Sequence, residues 1–142
     1  MIGYVDVKTS PVFFYAQKTS RFTTLNSVIP FDLLRLNLGN AMNTSGIFVT
    51  PTPGKYFFSY SGLSHANLLG RVELQMWTAA TDWVKIGQAF GSVSVQTFSL
   101  QANLKLAKGD QIRLLLAEGG IEDDANHYTN FVGQLLEEDI IQ

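Results

Sequence analysis

The sequence contains no cysteine in its 142 residues, which excludes a disulfide framework and any cysteine-ligated metal. Histidine is nearly absent too. His65 and His127 are the only two, and no His-Glu-x-x-His pair or Gly-x-Ser-x-Gly elbow is present. A serine triad would need an orienting acid beside its base. Only His127, next to Asp123 and Asp124, offers one, so no enzyme is expected. Charged residues make up just 15% of the chain, against 46% hydrophobic, with a net charge of −2. That balance excludes disorder. There is no Gly-X-Y run, sustained heptad or apolar stretch of about 20 residues, which excludes collagen, coiled coil and a membrane-spanning helix. An isoelectric point near 5.6 without a basic cluster leaves nucleic acid no footing.

What the chain does have is aromatics: ten Phe, five Tyr and two Trp. Its length suits one domain able to bury them. Short alternating runs broken by Gly, Pro, Asn, Asp and Ser predict an all-β fold. Strands are expected over residues 12–17, 23–31, 33–37, 47–50, 56–60, 71–78, 83–88, 95–106, 111–117 and 131–136. Trp77 and Trp83 flank an expected hairpin. Strands around Val72 and Leu100 alternate as half-covered strands should. Residues 12–15, 56–60 and 114–116 are apolar in both phases, and 131–136 nearly so. Such strands need cover on two faces, and a small two-layer sandwich covers one. A symmetric self-association interface is the economical cover; loops folded over the aromatics within one protomer are the alternative.

The order of residues from Phe31 to Tyr60 resembles the signature of the globular head domain of complement component 1q. Phe31 and Asn37 match its first half, and Phe48, Gly54, Tyr56, Phe58 and Tyr60 match its second, position for position. Between them, Met42 replaces an aromatic or Leu, and the following turn is one residue shorter than the pattern. The 12–18 segment resembles the family's opening strand, Lys108-Gly109-Asp110-Gln111-Ile112 its common turn, and the segment from Tyr128 to Leu136 its closing strand. The resemblance covers nearly the whole chain. It implies a ten-stranded jelly-roll sandwich of two antiparallel sheets that assembles as a trimer, a shape shared with tumour necrosis factor. The domain is expected over residues 12–139, with an N-terminal segment 1–11 and a tail 140–142. The family places its first, third and last strands around the threefold axis, so Phe13, Tyr15, Phe57, Tyr60, Val132 and Leu136 are the expected interface residues. Residues 114–116 fall in the other sheet and lack an explanation.

The resemblance also implies a secreted, non-enzymatic homotrimer that recognises extracellular protein, glycan or microbial surface ligands, as in innate immunity. A secreted signalling, adhesion or scaffold protein of tumour necrosis factor-like type is the alternative. Met1-Ile2-Gly3 shows no leader, so the chain is expected to be a piece lacking its signal peptide. Trp77 and Trp83 suit carbohydrate stacking or interface filling; His65 and His127 join them as candidate ligand contacts. Loops 61–70, 78–82 and 119–128 are the expected binding loops. Charge is uneven: residues up to Arg113 carry ten basic and five acidic side chains, and those beyond carry seven acids and no Lys or Arg. This is read as solvated loops or as one cation-attracting end. Glu122, Asp123 and Asp124 form a candidate Ca²⁺ loop. Asn43-Thr44-Ser45 is a glycosylation triplet.

Overall fold

A computed structural model describes residues 11–93 and 95–139. Met1-Ile2-Gly3, most of the N-terminal segment and the 140–142 tail lie outside the described residues. The described chain forms eleven strands: β1 (Phe13–Gln17), β2 (Ser27–Val28), β3 (Leu33–Leu38), β4 (Phe48–Val49), β5 (Gly54–Ser64), β6 (Gly70–Thr78), β7 (Asp82–Gly91), β8 (Thr97–Leu106), β9 (Gln111–Gly119), β10 (Ile121–Glu122) and β11 (Asn130–Glu138). Ten answer to the expected runs; the eleventh, β10, is only two residues long. The run at 23–31 shrinks to two paired residues because Leu25 and Asn26 turn, with Asn26 at φ 56°.

All pairings are antiparallel, in two sheets. In the first, β3, β1, β11, β5 and β8 lie side by side, and β10 extends the β11 side of β5. In the second, β7, β6 and β9 lie in order, with β2 and β4 sharing the far side of β9. The chain ends are close: β1 starts at Phe13, opposite Gln134, and β11 runs four residues further to Glu138. Both lie at the end that carries the turns at 78–82 and 107–110, the hairpin end. The connections 18–26, 65–69 and 123–129 crowd the opposite, loop end.

Between the sheets the core is aromatic. Phe14, Phe31, Phe48, Tyr56, Phe58, Tyr60 and Phe131 are each at most 1% exposed. Phe14 meets Phe131 edge-on at 5.0 Å, and Phe48 meets Phe58 at 5.3 Å. Such pairs add about 0.5–1.5 kcal/mol beyond their burial. Gly133 is required by this packing: a Cβ there would stand 2.1 Å from the Phe14 ring. Gly109 turns the chain at φ 93°, which an L side chain rarely adopts.

The run at 114–116 now has a reason. Leu114 and Leu116 point into the core, while Leu115 is half-buried on the outer face between its neighbours Val28 and Glu73. Flanking strands cover it, so it does not require a partner.

Candidate functional site

Strand alternation puts every second residue of the first sheet outward. Its pairings align those residues in rows. One row reads Leu38, Phe13, Gln134, Phe57, Asn103, and the next reads Leu36, Tyr15, Val132, Ser59, Gln101. Phe13, Tyr15, Phe57 and Val132 are therefore brought together, half-buried, on one face. Leu36 and Leu38 extend it, each 46% exposed. Leu136 sits at a bulge where β11 shifts register against β5, and is also exposed. Shallow apolar hollows lie beside Phe13 and beside Leu136. Toward the loop end the face turns polar. Tyr15 Oη donates to Asn130 Oδ1 (3.1 Å), Gln17 Nε2 donates to the same oxygen (2.8 Å), and Arg35 Nε donates to Gln17 Oε1 (2.8 Å).

Tyr60 is corrected: it does not belong to this face. It is 0% exposed and packs edge-on against Phe98 inside the sandwich. Phe57 and Tyr60 are an odd number of residues apart, so a period of two places them on opposite sides. The same period, applied to β3, would have found Leu36 and Leu38, which sequence reasoning missed.

The candidate ligand residues divide. Trp77 and Trp83 are cross-strand partners beside the β6–β7 turn, on the outer face of the second sheet. The Arg113 guanidinium lies 3.8 Å from the centre of a Trp83 ring, and its Nε donates to Gln75 Oε1 (2.8 Å). Burial pulls the Arg113 pKa down, with Asp82 opposing. This stacked cation was invisible in sequence because β9 brings it from 30 residues away. His65 and His127 lie at the other end, roughly 20–25 Å along β6 by strand rise. The expected loop set divides the same way, with 78–82 at the hairpin end and 61–70 and 119–128 at the loop end.

At the loop end the polar groups are tied to one another. The buried Asp123 carboxylate accepts backbone N–H bonds from Asp124, Tyr128 and Thr129 at 2.8, 2.9 and 3.0 Å. Asp124 Oδ1 accepts from the Asn126 N–H (2.7 Å). Glu122 Oε1 pairs with His65 Nδ1 (2.7 Å) and Arg21 (3.4 Å). In the expected calcium loop Asp123 holds its own loop together and Glu122 faces a histidine and an arginine, and among the described residues no three His, Asp or Glu side chains are grouped to hold a metal ion. His127 Nδ1 contacts the Lys18 carbonyl (2.9 Å), not a carboxylate. Lys18 is buried, its Nζ donating to Pro30 O (3.1 Å), and burial lowers its pKa against the pull of Asp32 and Asp123. At Asp32 burial raises the carboxyl pKa, but bonds from the Thr19 hydroxyl and N–H and the Lys18 charge leave it lowered.

The acids do not make one end. Glu118, Glu122, Asp123 and Asp124 sit at the loop end, and Glu137, Glu138 and Asp139 at the hairpin end, where Glu137 pairs with Lys55 (3.1 Å). The loop end instead exposes apolar side chains. Leu68, Phe90, Val93 and Val95 are 40–59% exposed, and the Asn67 N–H bonds Val93 O (3.1 Å), joining two of its connections.

The signature residues have structural jobs. Phe31, Phe48, Tyr56, Phe58 and Tyr60 are core. Asn37 clamps Met42 by donating from Nδ2 to its carbonyl (2.7 Å) and accepting from its N–H at Oδ1 (3.2 Å). Met42 is buried and bridges Phe48, so the shortened turn still closes.

A two-sheet antiparallel jelly roll with an aromatic core and one apolar outer face is the architecture of complement 1q head domains. The sequence matches the C1q domain family over residues 13–136, and the chain belongs to that family. It is 36% identical over 138 residues to Caprin-2 of Danio rerio, covering 90% of this chain and 14% of that protein. It is 32% identical over 124 residues to complement C1q tumor necrosis factor-related protein 3 of Homo sapiens, covering 87% of this chain and 50% of that one. The chain thus spans half or less of these relatives' length. Among solved structures it resembles the globular domain of zebrafish complement 1qA protein, with a TM-score of 0.73 at 18% identity over 90% of this chain and 99% of that one. It also resembles the Eiger TNF of S. frugiperda, at 0.66 and 10% identity over 94% and 97%. These two likenesses concern the fold.

Proposed function

We propose that the chain is a secreted, non-enzymatic recognition module that assembles as a homotrimer and binds extracellular protein or glycan ligands through its loop end. The observation that carries this reading is the outer face of the first sheet, where Phe13, Tyr15, Phe57, Val132, Leu36 and Leu38 gather with nothing among the described residues to cover them. Such a face resembles a core cut in half and favours a second copy. Family membership favours three copies. The exposed apolar group at Leu68, Phe90, Val93 and Val95 lies away from that face and supports the loop end as the recognition surface. Three copies displaying it together gain avidity from a modest single-site affinity.

Light scattering tests the assembly. The expected mass is three times 15.7 kDa, and a monomer at micromolar concentration overturns it. Ligand recognition is tested by a glycan and protein array with the parent and a Phe90→Asp variant. Signal lost in the variant supports the loop end, and signal lost only in Trp77→Ala or Trp83→Ala moves recognition to the hairpin end.

A further inference from the structure

The turn between β3 and β4 holds a group that neither the fold nor the self-association face uses. Asn43, Thr44 and Ser45 are all exposed. The Asn43 side chain organises the turn through its oxygen alone. Oδ1 accepts from the Ser45 N–H (3.1 Å), the Ser45 hydroxyl and the Ile47 N–H (3.4 Å), while the Asn43 carbonyl accepts from the Gly46 N–H (3.0 Å). This is an Asx turn. Among the described residues, nothing accepts a bond from its nitrogen, Nδ2. The Thr44 carbonyl accepts from the Phe31 N–H (3.0 Å), so the backbone of the triplet is anchored on one side while the amide nitrogen remains outside. β3 is the outermost strand of its sheet, and the turn leaves from that edge, not from the apolar outer face.

We propose that Asn43 carries an N-linked glycan. The residue types meet the acceptor requirement, Asn-x-Ser with x not proline, and the geometry meets a second one. A substituent on Nδ2 breaks no hydrogen bond among the described residues, because the turn depends on Oδ1. The transfer is balanced: Nδ2 attacks C1 of the reducing-end sugar of a lipid pyrophosphate-linked oligosaccharide. A C–N bond forms, the C1–O bond to pyrophosphate breaks, Nδ2 gives up a proton, and the lipid pyrophosphate leaves with the electron pair. This inference rests on the secretory reading, since the donor is met only by chains that enter that pathway. A glycan here would project from a sheet edge, clear of both the trimer face and the apolar group at the loop end.

The test expresses the chain behind a cleavable leader in a eukaryotic secretory host, with Ser45→Thr and Ser45→Ala variants alongside. Intact mass is read before and after peptide-N-glycosidase, in lysate and medium separately. The parent and Ser45→Thr are expected to carry a glycan removed by the enzyme with conversion of Asn43 to Asp, and Ser45→Ala to carry none. Enzymatic removal is expected to leave the melting temperature and the number of subunits unchanged. A glycan in the lysate with no protein in the medium supports the site and counts against secretion. Absence of glycan in both fractions overturns the proposal, and so does a glycan whose removal changes the number of subunits in the oligomer.

Discussion

At the scale of single residues, the strictest demand falls on Gly133. Phe14 lies against it in a core at organic-crystal density, so Gly133→Ala must displace a ring held by Phe48, Phe58 and Phe131. Overpacking of this kind costs about 1–3 kcal/mol, and chemical denaturation should show a lower midpoint with an unchanged slope. Tyr60 offers a second, pH-dependent reading. Burial first and Asp123 second push its hydroxyl pKa well up, so the folded protein keeps a proton that the unfolded chain loses near pH 10. The folded state then holds more protons, and stability falls as pH rises above about 10. Tyr56 acts in the same sense up to about 12, where burial outweighs the bond it donates to Thr52 O (2.6 Å). Tyr60 Oη has no partner in the described chain, so Tyr60→Phe removes a titration and little else. Its alkaline unfolding limb should be shallower than the parent's, and an identical limb would show that Tyr60 does not titrate there. Asp123 carries the opposite expectation. Each hydrogen bond to a charged acceptor contributes about 1.5–3 kcal/mol, so Asp123→Ala should loosen the 123–129 loop, read as faster amide exchange at Tyr128 and Thr129.

At the scale of strands, the second sheet's outer face can be probed through Arg113. Its stacking on Trp83 is worth about 0.5–2 kcal/mol, and Arg113→Gln should lose an amount in that range and raise the exposure of Trp83 read by fluorescence quenching. This scale also shows how much of the molecule was legible. Strands with strict alternation, such as β6 and β8, could be read because their neighbours cover one face only. The doubly apolar runs pointed to a second apolar face, and β1, β5 and β11 supply one that nothing among the described residues covers. The run at 114–116 gave the same signal for a different reason: Leu115 is sheltered sideways by Val28 and Glu73, which no local pattern contains. Phe57 and Tyr60 show a period available in the sequence yet overridden by counting aromatics. The pair formed by Arg113 and Trp83, the capping of the 123–129 loop by Asp123, and the tie between His65 and Glu122 depend on register between distant strands. Their spacing in sequence carries no trace of it. The acidic stretch beyond Arg113 was visible as composition, but a chain that reverses direction between β9 and β10 and then runs back along β5 deals its acids to opposite ends.

For the whole molecule, self-association and stability are linked. If the outer face of the first sheet is buried between copies, melting temperature rises with protein concentration. Replacing Val132 by Lys, at the centre of the row between Tyr15 and Ser59, should remove that dependence and give monomers by light scattering. Val132→Ile is expected to preserve both. Added Ca²⁺ should leave the melting temperature where it was, because the carboxylates at the loop end are already engaged with backbone N–H groups, His65 and Arg21. The start of β1 and the finish of β11 share the hairpin end, which gives the molecule a direction. Anything joined before Phe13 or after Asp139 takes hold from one side. The apolar tips at Leu68, Phe90, Val93 and Val95 then look the opposite way, as a probe faces outward from its handle. A sensor chip bearing the chain by either terminus should therefore present the same surface to solution, whereas coupling through Arg21, exposed at the loop end, would bury it.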